Sequence, residues 1–155
     1  MIGLYRGKSI PSRIVRIRTW SEYSHASWIR GNHSVIEAWW KGGVREKTHY
    51  SEDHTPGTLI HLFDIDLSHG EHQGLEEFFK AQLGKKYDWM GCLHFITRRP
   101  EYARDQDRWF CSELIFAAFE HIKKPLLLRI PAYKVSPGLL SYSPLLKFIG
   151  QVVIV

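Results

Sequence analysis

A chain of 155 residues is the size of one domain, and its 44% share of hydrophobic residues is enough for a core that needs neither metals nor disulfides. Since the only cysteines are Cys92 and Cys111, a disulfide framework is excluded. The net charge of +5 favours anionic partners. No recognition helix or base-stacking motif is present, so we expect no nucleic-acid binding, while contact with a membrane surface stays open.

The start of the chain, Met1 to Arg6, lacks the basic-then-apolar pattern of a signal peptide. No apolar run approaches the ~20 residues needed to cross a bilayer. We therefore expect a cytoplasmic protein, with release by lysis, as for a phage or viral product, as the alternative.

The predicted elements begin after a basic stretch, Arg13 to Arg18, in which arginines alternate with apolar residues. We interpret this stretch as the solvated face of an element, with a polyanion site as the alternative. Two β-rich runs follow, Ser24 to Ile29 and Ser34 to Trp40, and Gly31-Asn32 between them is typical of a hairpin turn. The polar segment Thr48 to Gly57 predicts a loop.

The second half of the chain adds two helices and two strands. Thr58 to Leu67 alternates like a strand, and Leu75 to Leu83 shows helical spacing, with Gly84 where a C-terminal cap belongs. A second amphipathic helix follows Cys111 and stops before Pro125, and Gln151 to Val155 form a terminal strand. This order predicts a single α+β domain over residues 1–155, with helices packed on one face of an antiparallel sheet.

Cys111 stands at the start of the second predicted helix. A thiol in the first turn of a helix lies at the positive end of the macrodipole, which stabilises a thiolate. This is the placement that a nucleophilic cysteine needs. From position alone, a buried core cysteine is an equal alternative.

A thiolate nucleophile needs a base, and the chain has nine histidines. His25 begins a predicted strand among small residues, which leave room for a helix terminus to approach. The returning strand of the hairpin would bring Glu37 beside the His25 ring, where a carboxylate fixes the tautomer. Spacing alone leaves open that His25 is a structural strand residue and Glu37 a surface residue.

Four segments in a fixed order extend this interpretation. They are Ser24-His25-Ala26-Ser27-Trp28-Ile29, Val35-Ile36-Glu37-Ala38, Gly84-Lys85-Lys86-Tyr87-Asp88 and Phe110-Cys111-Ser112-Glu113-Leu114. Together they resemble the circularly permuted NlpC-type cysteine hydrolases, the YiiX-like branch of the papain-like group, over about Gly3 to Phe119. In that branch the strand that carries the histidine precedes the helix that carries the cysteine.

The resemblance implies a papain-like fold, with the cysteine at a helix N-terminus packed against an antiparallel sheet that carries the histidine. It implies Cys111 as the nucleophile, His25 as the base and Glu37 as the orienting third member of a triad. Tyr87 matches a tyrosine near the active site of the family. The implied activity is peptidase or amidase hydrolysis of an amide, ester or thioester through an acyl-enzyme, without a cofactor.

Two other kinds of protein compete with this hypothesis. An acyltransferase similar to lecithin:retinol acyltransferase would use the same acyl-enzyme on lipids, and an inactive binding module would keep the fold alone. A narrow polar groove favours a peptide or muropeptide substrate, whereas a wide apolar groove favours a lipid. The aromatic residues that could line such an apolar groove are Trp28, Trp39, Trp40, Trp89 and Phe95.

A metal site is the remaining rival, since structural zinc is held by closely spaced ligand pairs. The best candidates, Cys92-x-His94 and His69-x2-His72, lack a second pair, so we expect no metal. Three further histidines in or beside the predicted loop are expected to face solvent: His49, His54 and His61. The arginines between Tyr87 and Cys111 are interpreted as a solvated loop, with a specificity insertion as the alternative; they are Arg98, Arg99 and Arg104.

Overall fold

The structure is a computed structural model that describes residues 1–91 and 107–155, and it has an α+β architecture. The strands are β1 (Ile2–Arg6), β2 (His25–Ile29), β3 (Val35–Trp39), β4 (Gly43–Lys47), β5 (Leu59–Asp64), β6 (Lys86–Tyr87), β7 (Arg108–Trp109) and β8 (Lys147–Val153). The helices are α1 (Ile10–Thr19), α2 (His69–Gln82), α3 (Cys111–His121), a 3-10 turn (Ala132–Lys134) and α4 (Pro137–Leu140).

Six strands form one antiparallel sheet in the order β4-β3-β2-β1-β5-β8. The two short strands β6 and β7 pair in parallel just before α3. Helix α3 packs against β2 and β3 and against α2, so the main core lies between the sheet and these helices. Across the described ranges, no helix combines the length and apolarity that a membrane crossing requires.

Several sequence-based predictions are confirmed. The hairpin of β2 and β3 forms with Trp28 opposite Ile36. The predicted loop of residues 48–57 separates β4 from β5, and the terminal strand pairs with β5, although it starts earlier than expected, at Lys147. The strand predicted for Thr58 to Leu67 is shorter and ends at Asp64.

The two predicted helices also form, and their ends have identifiable causes. Helix α2 begins in a capping box, in which the Ser68 hydroxyl accepts from the Glu71 N–H and the Glu71 carboxylate accepts from the Ser68 N–H. It ends before Gly84, whose φ of 82° lies in the left-handed region. Helix α3 was predicted to be amphipathic, but it is buried from Cys111 to Phe119, with Ser112 and Glu113 included, because it is enclosed on all sides.

The predictions for Trp28, Phe95 and the basic stretch have different outcomes. Trp28 is wrong as a groove residue, because it is fully buried and stacks on Phe79 in the core. Phe95 and the other residues of 92–106 that the sequence singled out lie outside the described residues. The basic stretch is part of helix α1, which the sequence analysis did not predict.

Candidate active site

Cys111 is the first residue of α3, and it is buried. The preceding residue, Phe110, has an extended backbone and supplies no side-chain cap to the helix. The first-turn N–H groups of a helix lack intrahelical partners and carry the positive end of its dipole. The thiol therefore stands where an anion is stabilised.

His25 is the first residue of β2, and its ring lies close enough to the side chain of Cys111 for the two groups to affect each other's charge. They are neighbours because α3 packs across β2 and β3. The imidazole is also enclosed by aromatic rings, since Tyr5 and Trp39 each contact it edge-on with centroids 5.2 and 5.3 Å away. Its side chain is 12% exposed.

Glu37 lies in the middle of β3 and is 2% exposed. The register of the β2–β3 hairpin makes it a diagonal neighbour of His25 on the same face of the sheet. His25 Nε2–H donates to Glu37 Oε2 at 2.6 Å. With Nε2 engaged in this way, Nδ1 is the ring atom left for the thiol.

Arg45, which the sequence analysis did not single out, holds the other oxygen of Glu37. Its Nε and Nη2 atoms both donate to Oε1, at 3.0 and 2.7 Å. The guanidinium also lies 4.5 Å from the centre of the Trp39 ring. Arg45 faces Glu37 directly in the β3–β4 ladder, so a second hairpin turn predicted at residues 40–42 could have revealed the pair.

The charges of this site depend on one another. Burial alone would lower the pKa of His25, but Cys111 and Glu37 outweigh it and raise the pKa to about 10. Burial would likewise raise the pKa of Glu37, but the hydrogen bonds from His25 and Arg45 hold it below the usual value. The site therefore favours an imidazolium beside an ionised carboxylate.

The prediction that His54 faces solvent is wrong, because its side chain is only 7% exposed. It stacks on Tyr5 with ring centroids 4.3 Å apart, and its Nε2 lies 3.9 Å from Glu37 Oε2. Burial and the charge of His25 lower the pKa of His54 to about 4. The ring is therefore neutral at neutral pH.

His25, Glu37 and His54 form a group that fits a metal ion by ligand type. One donor atom from each lies within 4.8 Å of the others. Two imidazoles and a carboxylate are a common ligand set for zinc and iron. The expectation of no metal was argued from sequence spacing, which cannot detect a group that three separate elements bring together.

Tyr87 lies in β6, opposite Trp109 of β7, and its ring contacts Trp89 with centroids 5.2 Å apart. The β6–β7 pair thus ties the Tyr87 segment to the residues that lead into α3 and Cys111. Of the four residues predicted for the site, the structure brings Cys111, His25 and Glu37 into one cluster. Tyr87 lies two residues away, across the ladder, from the start of α3.

Comparisons with known proteins give one kind of match. No protein-family model matches the chain, and no curated protein matches it. Among solved structures, it is similar to a crystal structure of metalloprotein yiiX from Escherichia coli O157:H7, described as DUF1105. The TM-score is 0.66 and the identity 20%, over 98% of this chain and 96% of that one. The chain therefore has a YiiX-like α+β fold.

Proposed function

We propose that the protein is a cysteine hydrolase of the peptidase or amidase type. The observation that carries the proposal is the His25 ring, which donates to the buried carboxylate of Glu37 and lies beside Cys111 at the start of α3. A nucleophile, a base and a group that orients the base, in that order, are what acyl transfer through a covalent intermediate requires.

In the first half-reaction, the thiol proton already resides on His25, whose raised pKa favours the imidazolium, and the thiolate of Cys111 attacks the carbonyl carbon of an amide, ester or thioester. The negative charge that develops on the carbonyl oxygen is stabilised by the backbone N–H of Cys111 at the start of α3. His25 then returns its proton to the leaving amine, alcohol or thiol as the bond to the carbonyl breaks. An acyl thioester on Cys111 remains.

In the second half-reaction, the neutral His25 ring takes a proton from water, and the hydroxide attacks the thioester. The carboxylic acid leaves, the sulfur is released as thiolate, and the proton taken from water stays on the His25 ring, which restores the starting state. Glu37 keeps the Nε2 proton fixed, so that Nδ1 faces the sulfur. Arg45 in turn keeps Glu37 ionised and immobile.

The fold similarity supports the hydrolase proposal at the level of analogy. We propose that the fold is the permuted NlpC-type variant of the papain-like fold, because the strand with His25 precedes the helix with Cys111. Another acceptor in place of water would turn the same acyl-enzyme into an acyltransferase. The exposed rings of Trp40 and Trp89, with centroids 6.0 Å apart, are apolar contacts that suit a lipid acyl donor.

The test is capture of the acyl-enzyme. The protein is incubated with p-nitrophenyl acetate and with a peptide thioester, and intact mass is measured at short times. We expect one acyl adduct on Cys111, which disappears with release of acid. The Cys111→Ala variant should give no adduct and no turnover while unfolding at the same temperature. Acylation of the parent at Cys92 instead, or none at all with a folded protein, overturns the proposal.

A second candidate function is binding of a transition-metal ion by His25, Glu37 and His54. Their donor atoms lie within 4.8 Å of one another, and the neighbour of similar fold is described as a metalloprotein. A zinc ion held there would supply Lewis-acid chemistry. The ion would compete with the hydrogen bond between His25 and Glu37, so it would inhibit the thiol chemistry.

His54 separates the two candidates, because it is a proposed metal ligand but not a member of the triad. Zinc binding is measured by calorimetry on the apo-protein after treatment with EDTA. If the metal proposal holds, His54→Ala abolishes binding, while Cys111→Ala and the exposed control His69→Ala keep it. Equal binding by His54→Ala and the parent contradicts the metal site and leaves the hydrolase proposal untouched.

A further inference from the structure

Helix α1 is inserted between β1 and β2, and it turns its apolar side away from the protein. At 3.6 residues per turn, Ile10, Ile14 and Ile17 fall within about 60° of one another on one side of the helix. Their side chains are 75%, 46% and 72% exposed. This is the reverse of an ordinary surface helix, which turns its apolar face to the core.

The inner side of α1 carries the polar residues Ser12, Arg16 and Thr19 beside Val15, and it is fixed to the body of the protein. Arg16 Nη1 donates to the carbonyl of Gly7, and the Ser9 hydroxyl caps the first turn by accepting from the Ser12 N–H. The Gly7 N–H donates to the hydroxyl of Ser24, just before β2. A rotation that buried the isoleucines would break the Arg16 contact, so the outward orientation of the apolar side is built into the structure.

Positive charge surrounds the three isoleucines. Arg13 and Arg18 are exposed and lie on opposite flanks of the apolar side of α1, and Lys8 precedes the helix. The stretch from Gly7 to Ser21 contains four basic residues, with Arg16 as the fourth, and no acidic one. Trp20, directly after the helix, is 88% exposed.

We infer that α1 docks the protein onto the surface of an anionic lipid bilayer. A helix with an apolar side flanked by basic residues lies in the plane of the interface, with its apolar side chains among the acyl chains and its charges at the headgroups. A tryptophan at the end of such a helix suits the same interface. We prefer a bilayer to a protein groove because the apolar residues form a ridge flanked on both sides by arginine.

The docking surface lies at a defined place relative to the candidate active site. The insertion leaves the sheet after β1 and returns at Ser24, whose N–H donates to the carbonyl of Tyr5, and His25 comes next in the chain. A docked helix would therefore hold the His25 end of β2 close to the bilayer. The docking inference itself does not depend on the chemistry of Cys111.

Co-sedimentation with vesicles tests the inference. The probe vesicles are phosphatidylcholine containing about one third phosphatidylglycerol, with pure phosphatidylcholine as comparison. We expect binding to the anionic vesicles and about tenfold loss in the variant Ile14→Gln/Ile17→Gln. Both side chains are exposed, so the variant should keep the parent's unfolding temperature. Leu128→Gln, which replaces an equally exposed leucine outside α1, should bind like the parent.

A pair of charge-reversal substitutions in α1 tests the electrostatic contribution to vesicle binding. Each basic residue near an anionic surface contributes roughly fivefold to the affinity, so Arg13→Glu/Arg18→Glu should lower the affinity by at least about 25-fold. The control Lys80→Glu/Arg129→Glu changes the net charge equally at exposed sites away from α1 and should bind better than the α1 pair. Added inorganic phosphate at matched ionic strength should not displace the protein, which separates a bilayer from a free phosphate site.

Three results overturn the inference. The first is no binding of the parent to anionic vesicles. The second is equal loss in the α1 variants and in their controls, which would indicate a general charge effect. The third is a concentration-dependent dimer, detected by light scattering without lipid, that the Ile14→Gln/Ile17→Gln variant abolishes. In that case the apolar side of α1 serves a second copy of the chain.

Discussion

Glu37 is almost completely buried and yet lies among charges. Its two oxygens receive one hydrogen bond from His25 and two from Arg45. Bonds of this charge-assisted type are shorter and stronger than neutral ones, which is how a carboxylate stays ionised in a buried position. At the scale of single residues, Glu37 is thus the structural centre of the site, while Cys111 and His25 are its proposed reactive groups.

Replacing Glu37 by Gln removes the charge while it keeps the shape of the side chain. We expect kcat to fall about 10- to 100-fold, because His25 loses the partner that fixes its tautomer, whereas Cys111→Ala abolishes turnover. The comparison is made on the acyl donor that the parent hydrolyses. Glu46→Gln, in the neighbouring strand, should leave kcat unchanged; if it lowers kcat as much, the effect does not come from the triad.

Replacing Arg45 by Met leaves Glu37 Oε1 buried without its two donors. Since a buried polar group without a partner costs about 1–3 kcal/mol, the free energy of unfolding in urea should fall by about 2 kcal/mol. Arg45 also pairs with Asp53 at 2.9 Å on the surface. Asp53→Asn is therefore the control, and it should cost less than half as much. An equal loss in both variants would assign the stability to the surface pair.

The lowered pKa of His54 predicts how the free energy of unfolding depends on pH in the acid range. Its folded pKa of about 4 lies below the unfolded value of 6.5, so the folded state binds fewer protons than the unfolded state. The contribution of His54 to the free energy of unfolding is therefore fully present above pH 6.5. It is lost as the pH falls towards 4, by up to about 3 kcal/mol. Urea unfolding in EDTA should show this loss in the parent relative to His54→Phe, which keeps the stacking on Tyr5. Parallel pH profiles would contradict it.

At the scale of elements, the helices and strands that the sequence predicted correctly are those with local sequence signals at their ends and in their apolar spacing. The hairpin of β2 and β3 is marked by turn residues, and the helices α2 and α3 are marked by the periodic spacing of apolar residues that face the core. Helix α1 was missed because its arginines alternate with apolar residues, and this alternation was interpreted as a basic stretch although Ile10, Ile14 and Ile17 have the i, i+4, i+7 spacing of a helix. Its start was nevertheless marked by the Ser9 cap and by Pro11 in the first turn.

The capping box of α2 gives a prediction at the same scale. Ser68→Ala removes the acceptor for the Glu71 N–H, and we expect a loss of about 1 kcal/mol in the free energy of unfolding. Ser68→Thr keeps the hydroxyl and should recover most of that loss. The alkylation rate of Cys111 should be the same in both variants, because α2 contributes no side chain to the candidate site.

At the scale of the whole molecule, the pairing of strands that are distant in the chain could not be predicted from the sequence. Strand β1 lies between β2 and β5, which places Tyr5 opposite His25 and Ile60. No local pattern specifies that order, and His54 reaches the site only because its loop folds back over the sheet. The cluster of Cys111, His25 and Glu37 was found from sequence through ordered motifs, whereas Arg45 and His54 depend on this tertiary arrangement.

The central claim is that the His25 ring activates Cys111, and the pH dependence of thiol alkylation tests it most directly. The protein carries Cys92→Ser so that iodoacetamide reports on Cys111 alone, and the rate is followed from acid to alkaline pH. We predict that alkylation persists well below about pH 8 and that His25→Ala shifts its onset towards the alkaline range of an ordinary thiol. Identical pH profiles for the parent and His25→Ala would contradict the account.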